Sequence, residues 1–321
     1  MALATVGKSI VPTIASKTTA ASPSSSVFDM GSYTPHPTML KASGESPPLD
    51  TTVMSPLESG TYPVLLFLHG YLLSKDYYTQ IYLHIASHGY IVVAPQTNAI
   101  WPSSEVDIIE AAKTSSWLSV GLNDSLPKGV QADPTYRALS GHSRGGHAAF
   151  SLALGYDNPD SLKFSALIGI DPVAGFSQTL QFPPPTILTN QASSFALDIP
   201  VLVIGTGLGP DKKVPLPFVP ACAPEGVNHA EFYKECKPPC YHLVVTDYGH
   251  LDLLDDDAPK YLKCVCVNGS GCREPMRRSI GGIVVAFLEA KLGEQDPTDL
   301  QAILDDPEIA PAKLFPVEYR P

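Results

Sequence analysis

Short apolar runs alternate with amphipathic stretches through most of the chain. Val64 to Leu68 and Tyr90 to Ala94 contain no charged residue, and Arg137 to Ser140, Ser165 to Ile170, Pro200 to Gly205 and Tyr241 to Thr246 are similarly short and mostly apolar. Runs of this length without polar alternation predict strands buried on both faces. Between them, Tyr77 to His88, stopped by Gly89, reads as an amphipathic helix, as do Glu105 to Leu118, Gly145 to Leu154 and Met276 to Lys291. The alternation predicts an α/β fold with a mainly parallel central sheet and helices on both faces. Ligands of such sheets bind beyond the carboxyl ends of the strands.

The first 58 residues do not share this pattern and read as a low-complexity extension, with a single α/β domain expected over 59–321. Residues 1–28 hold two lysines, many Ala, Ser and Thr, and no acid, the composition of a candidate organelle transit peptide, although Arg is missing. A secretory leader is disfavoured because Gly7, Lys8, Ser9 and Pro12 break the apolar stretch from Val6 to Ala15. From Ser32 to Pro63 the chain stays rich in Pro, Ser and Thr, with short strands that the pattern does not place.

Composition narrows the classes. Hydrophobic residues make up 44% and charged ones 17% of the 321 positions, enough for a large core and incompatible with wholesale disorder. The formal charge of -11 has the wrong sign for attraction to nucleic-acid phosphates. No apolar run reaches the roughly 20 residues that span a bilayer. The 32 prolines predict long irregular connections, and those at 97–104 and 175–198 are candidate pocket walls or lids.

The chemistry concentrates in Gly141-His142-Ser143-Arg144-Gly145, a G-x-S-x-G segment between a predicted strand and helix. In that context the turn is so tight that small residues must flank it, here the glycines two positions either side of the serine, whose hydroxyl is lifted above the sheet as a nucleophile. Such a serine needs a base and an acid, supplied later in the chain in the order Ser, acid, His. His250, in a loop after Tyr241 to Thr246, is the expected base, with His229 in a loop and His242 within a strand as alternatives. Asp171 closes an apolar strand at the catalytic edge and is the expected acid; Asp211 competes, while Asp198 lies at the wrong end of its strand. Two backbone N–H donors must face the developing oxyanion: Arg144 follows the nucleophile, and Tyr71 follows the His69-Gly70 strand end, with Leu72 as its alternative. His69 and His142 read as structural residues that orient loops through hydrogen bonds.

Gly205-Thr206-Gly207-Leu208-Gly209 has the outline of a dinucleotide loop, but Pro210, Pro215 and Pro217 forbid the helix that must follow, so NAD is rejected. The six cysteines, from Cys222 to Cys272, admit disulfides or free thiols, and the absence of paired C-x-x-C motifs argues against zinc. The acidic run Asp255 to Asp257 reads as a solvated loop or helix start rather than a metal site.

LLFLHGYLLS at 65–74, GHSRGG at 141–146, LIGIDPVAG at 167–175 and TDYGHLDLLDDD at 246–257 resemble the plant chlorophyllases, as does most of the chain over 59–319. The resemblance implies the α/β-hydrolase fold and cleavage of the phytyl ester of chlorophyll to chlorophyllide and phytol. It matches Ser143, Asp171 and His250 to the family's triad, and Tyr71 and Arg144 to the oxyanion positions of the wider fold. It implies no cofactor, the magnesium belonging to the substrate, and a lipid-like substrate reached by peripheral membrane contact. A chloroplast location is expected, with cytosol and vacuole as alternatives. A general lipase or esterase of the same fold is the competing function.

Overall fold

A computed structural model of the chain describes residues 26–44, 46–98, 103–157, 163–183, 185–216, 219–293 and 298–321. The body of the candidate transit peptide and the centre of the 97–104 loop therefore lie outside the described residues. Among the described residues, nine strands form one sheet: β1 (Pro35–Leu40), β2 (Thr51–Pro56), β3 (Gly60–Leu68), β4 (Ile91–Pro95), β5 (Val130–His142), β6 (Ala166–Ile170), β9 (Val201–Thr206), β10 (Cys240–Val245) and β11 (Leu314–Arg320). A small hairpin of β7 (Gly175–Ser177) and β8 (Leu180–Gln181) stands apart from it. The helices are α1 (Thr79–Ser87), α2 (Glu105–Leu118), α3 (Arg144–Ala153), α4 (His229–Glu235), α5 (Glu274–Leu292) and α6 (Thr298–Asp305).

The sheet order is β1-β2-β4-β3-β5-β6-β9-β10-β11. From β4 to β10 all neighbours are parallel, whereas β1, β2 and β11 add antiparallel edges. Side chains alternate between the faces as the pleat requires. Leu65 and Phe67 of β3 join a core shared with α1 and α5, and Val64, Leu66 and Leu68 join a second core shared with α2, α3 and α4. Helices thus cover both faces, which is why the central strands carry no polar alternation. This is the α/β-hydrolase architecture.

The expected boundary at 59 is displaced. β1 and β2 extend the sheet, and Val27 and Phe28 are buried against α1 and α5, their carbonyls accepting from His84 Nε2 at 2.7 Å and Arg278 Nε at 2.9 Å. The segment read as a transit peptide therefore overlaps the fold at its last residues. The proline- and threonine-rich sequences of β1 and β2 masked this: β1 is an edge strand and tolerates prolines that central strands exclude, and the proline of β2 falls at its last position, Pro56. His229, expected in a loop, instead opens α4, whose N-cap Asn228 accepts from the Ala230 N–H. Asp255 is not solvated either: its carboxylate accepts from Gln80 N–H at 3.2 Å in the first turn of α1, and burial raises its pKa to about 6.

Glu289 on α5 illustrates how this packing bears on stability. Burial, aided by Asp299, pushes its carboxyl up to about 7. A carboxyl with a raised folded-state pKa contributes stability that is full below its ordinary value and is lost as pH rises through about 7. Glu289→Gln should therefore raise the melting temperature at pH 8 by about 3 °C and change it little at pH 5. This corresponds to about 1 kcal/mol, well below full conversion because the side chain remains partly hydrated. Thermal unfolding at the two pH values checks it, and equal shifts at both would reject a protonation origin.

Candidate active site

Ser143 stands between the end of β5 and the start of α3, at φ 56° and ψ -124°. A non-glycine residue holds this conformation only when its surroundings over-determine it. Here they do: a Cβ on Gly141 would lie 2.2 Å from the Gly145 carbonyl oxygen, and one on Gly145 would lie 2.3 Å from that of Leu68. The glycines allow strand and helix to close on each other, and the serine between them is left at the carboxyl edge of the sheet.

The three residues expected to act together converge there. Ser143 Oγ lies 2.8 Å from His250 Nε2, and His250 Nδ1 lies 2.7 Å from Asp171 Oδ2. A carboxylate only accepts, so Nδ1 carries the imidazole hydrogen and Nε2 is left to accept from the serine hydroxyl. Asp171 is fully buried, and Thr206 donates to it from its hydroxyl at 2.6 Å and its backbone N–H at 3.3 Å. Burial alone would raise the Asp171 carboxyl pKa, but the hydrogen bond and charge of His250, then His229 and the Thr206 hydroxyl, bring it below its ordinary value. A Cβ on Gly209 would sit 3.0 Å from Asp171 Oδ2, so one role of the glycine-rich turn after β9 is to pass close to Asp171. Thr206 was not anticipated; its only trace in the sequence is a hydroxyl at the end of an apolar strand.

The alternatives are placed elsewhere. Asp198 and Asp211 are exposed. His229 Nδ1 pairs with His242 Nε2 at 2.8 Å, and His242 Nδ1 pairs with Glu318 at 2.9 Å, so these histidines form their own buried chain beside β10.

Tyr71 and Arg144 are adjacent in space. The Arg144 guanidinium lies 4.2 Å over the Tyr71 ring and 2.8 Å from Asp107, which holds together the two residues expected to supply backbone donors. His69 anchors the same loop: its Nδ1–H donates to the Gly70 carbonyl at 2.8 Å, and its Nε2 accepts from the Thr97 N–H at 3.0 Å. Leu72 follows at φ 55°, exposed.

Beyond Asp171 lies an apolar cluster of Val173, Phe182, Ala223 and Phe176. Val173 donates its N–H to the Ser143 carbonyl at 3.1 Å, which ties this cluster to Ser143. A groove of about 590 Å³ runs past Phe176 and Leu180 and is walled on the other side by Pro210, Pro220, Ala221 and Pro224. Of the two loops expected to form walls, the 175–198 loop contributes; the second wall comes from 207–228, which a disulfide from Cys222 to Cys266 fastens to the segment after His250.

Comparison with known proteins adds an independent observation. The family model described as chlorophyllase matches residues 23–321. Chlorophyllase-1 of Arabidopsis thaliana is 47% identical over 279 residues, 84% of each chain. Chlorophyllase-2 of the same plant is 50% identical over 269 residues, 81% of this chain and 82% of the relative. A protein of Citrus unshiu named "Chlorophyllase-1, chloroplastic" is 45% identical over 304 residues, covering 91% of this chain and 88% of its own.

Proposed function

The chain belongs to the chlorophyllase family, and from that premise we propose that it is a carboxylic ester hydrolase that cleaves chlorophyll to chlorophyllide and phytol. The observation that carries the chemistry is the unbroken hydrogen-bonded series from Ser143 through His250 to Asp171. His250 Nε2 takes the Ser143 proton as the serine oxygen attacks the propionyl carbonyl. Asp171 keeps Nδ1 protonated and stabilises the imidazolium. The Tyr71 and Arg144 N–H groups donate to the oxyanion. Collapse of the tetrahedral intermediate returns the proton to the departing phytol oxygen, and water then releases chlorophyllide by the same steps. No step requires a cofactor; the magnesium is part of the substrate.

The family assignment favours a plant protein and, with the hydroxyl-rich first 28 residues and the name of the Citrus relative, a chloroplast location. A full-length fluorescent fusion that stays in cytosol or vacuole would overturn that location. Approach to a lipid-borne substrate is supported by exposed apolar side chains on the loops that leave the catalytic edge. Leu72 follows β3, Leu180 follows β6, Val214 and Leu216 follow β9, and Tyr261 and Val265 follow β10. No described helix is long and apolar enough to cross a membrane.

One competition experiment tests both the substrate and its presentation. Chlorophyll a should inhibit hydrolysis of a p-nitrophenyl ester with an inhibition constant matching its own KM. Tyr261→Asp with Val214→Asp, two exposed positions outside the groove lining, should slow turnover about tenfold for pigment in neutral-lipid vesicles and hardly at all in detergent. Absence of competition would favour the general esterase, and equal slowing in both media would dismiss membrane contact.

A further inference from the structure

His142 precedes the nucleophile, is fully buried, and does not belong to the triad, yet both of its ring nitrogens are engaged. Nδ1 lies 2.8 Å from the Tyr78 hydroxyl, and Nε2 lies 3.0 Å from the backbone carbonyl oxygen of His250. Its ring centroid is 4.6 Å from that of His250. The Tyr78 oxygen also receives the Gly70 N–H at 3.1 Å. Gly70 is the residue before Tyr71, so one bonded series joins the oxyanion loop, the nucleophile strand and the base loop.

Donor and acceptor roles leave a single arrangement. An amide N–H can only donate, so the Tyr78 oxygen accepts from Gly70 and directs its own hydrogen to His142 Nδ1. A carbonyl oxygen can only accept, so His142 Nε2 carries the ring hydrogen and donates to His250. Burial holds the His142 pKa well below the ordinary histidine value, so the ring is neutral, and with Nε2 protonated its Nδ1 is left to accept from Tyr78. A neutral ring in this place adds no positive charge beside His250 when that imidazole becomes cationic.

We infer that Tyr78 and His142 are a positioning pair that sets the backbone of the base His250 and the oxyanion loop at Gly70-Tyr71 in register with Ser143. The imidazole of His250 must meet the serine hydroxyl on one side and Asp171 on the other, and its reach is set by where its own backbone is held. The Tyr71 N–H must reach an oxygen that exists only as the tetrahedral intermediate forms. An interaction that aligns both acts in the transition state and belongs in kcat, since ground-state binding of the pigment does not depend on it. The inference rests on the serine mechanism proposed above, but not on the identity of the ester.

The test compares Tyr78→Phe, His142→Ala and His142→Gln with the parent enzyme on chlorophyll a and on a p-nitrophenyl ester, with thermal unfolding recorded for each. Gln places an amide donor near the position of Nε2 and so can keep the bond to the His250 carbonyl. His142→Ala should lower kcat about 100-fold and Tyr78→Phe about tenfold, with KM within about twofold, while His142→Gln recovers at least about tenfold of the alanine loss. The same pattern on both esters supports the pair. If chlorophyll is not cleaved by the parent while the simple ester shows the pattern, the substrate assignment fails and the pair stands. Unchanged kcat in folded His142→Ala, a loss confined to KM, or a Gln variant no better than Ala would overturn the inference. Should His142→Ala not fold, Tyr78→Phe removes one oxygen from an otherwise intact core, and its unchanged kcat would overturn the inference equally.

Discussion

Ser143→Ala is expected to lower kcat for phytyl-ester hydrolysis on the order of 10³-fold or more, with pigment binding retained within about twofold. The substitution removes one oxygen from a position whose backbone is held by its neighbours. The close contacts of Gly141 and Gly145 shape the turn, and alanine is no larger than serine at the same φ of 56°. The fold is therefore expected to survive, and pigment fluorescence quenching can report binding beside the kinetics. What is lost is the atom that His250 activates; the oxyanion donors and the apolar cluster remain. Near-normal turnover in the folded variant would remove Ser143 from the mechanism.

Asp171→Asn is expected to cost on the order of 10⁴-fold in kcat, because an amide cannot replace this carboxylate. Both Asp171 oxygens only accept: Oδ2 takes bonds from His250 Nδ1 and the Thr206 hydroxyl, and Oδ1 takes the longer bond from the Thr206 N–H. If the asparagine NH₂ faces His250, it drives the hydrogen to Nε2, the nitrogen that must accept the serine proton. If it faces the Thr206 N–H, two donors meet in a fully buried site. The exposed Asp211 provides the comparison, and Asp211→Asn should change kcat by no more than about twofold. Stopped assays on both folded variants check the pair, and a larger loss at Asp211 would reverse the assignment of the acid.

The sequence made the central strands legible because burial on both faces leaves runs such as Val64 to Leu68 with no polar interruption. It made the elbow at Ser143 legible because the steric demand of the turn is written locally, in the flanking glycines. The sheet edges were obscure for the opposite reason. The edge strands β1 and β11 each contain proline and have one face or more in solvent, so no clean period survives in them. α4 has only seven residues, and its one clear signal, the Asn228 cap, precedes too short a run to establish a helical period. The supporting shell of the site was least legible. Thr206 meets Asp171 across 35 positions, Tyr78 meets His142 across 64, and Arg144 meets the buried Asp107 on a different helix. Such partners are chosen by the packing of the sheet, and nothing in the local spacing of either residue announces the other.

The central claim is that Ser143, in the setting built by His250 and Asp171, breaks the bond between the propionyl group and phytol. It is tested most directly by incubating the purified protein and its Ser143→Ala variant with chlorophyll a in mild detergent and separating the products by chromatography. Equimolar chlorophyllide and phytol from the parent protein, with neither above background from the variant, is the predicted result. No phytol from parent protein that still hydrolyses a simple ester, or equal release by the variant, would contradict the account.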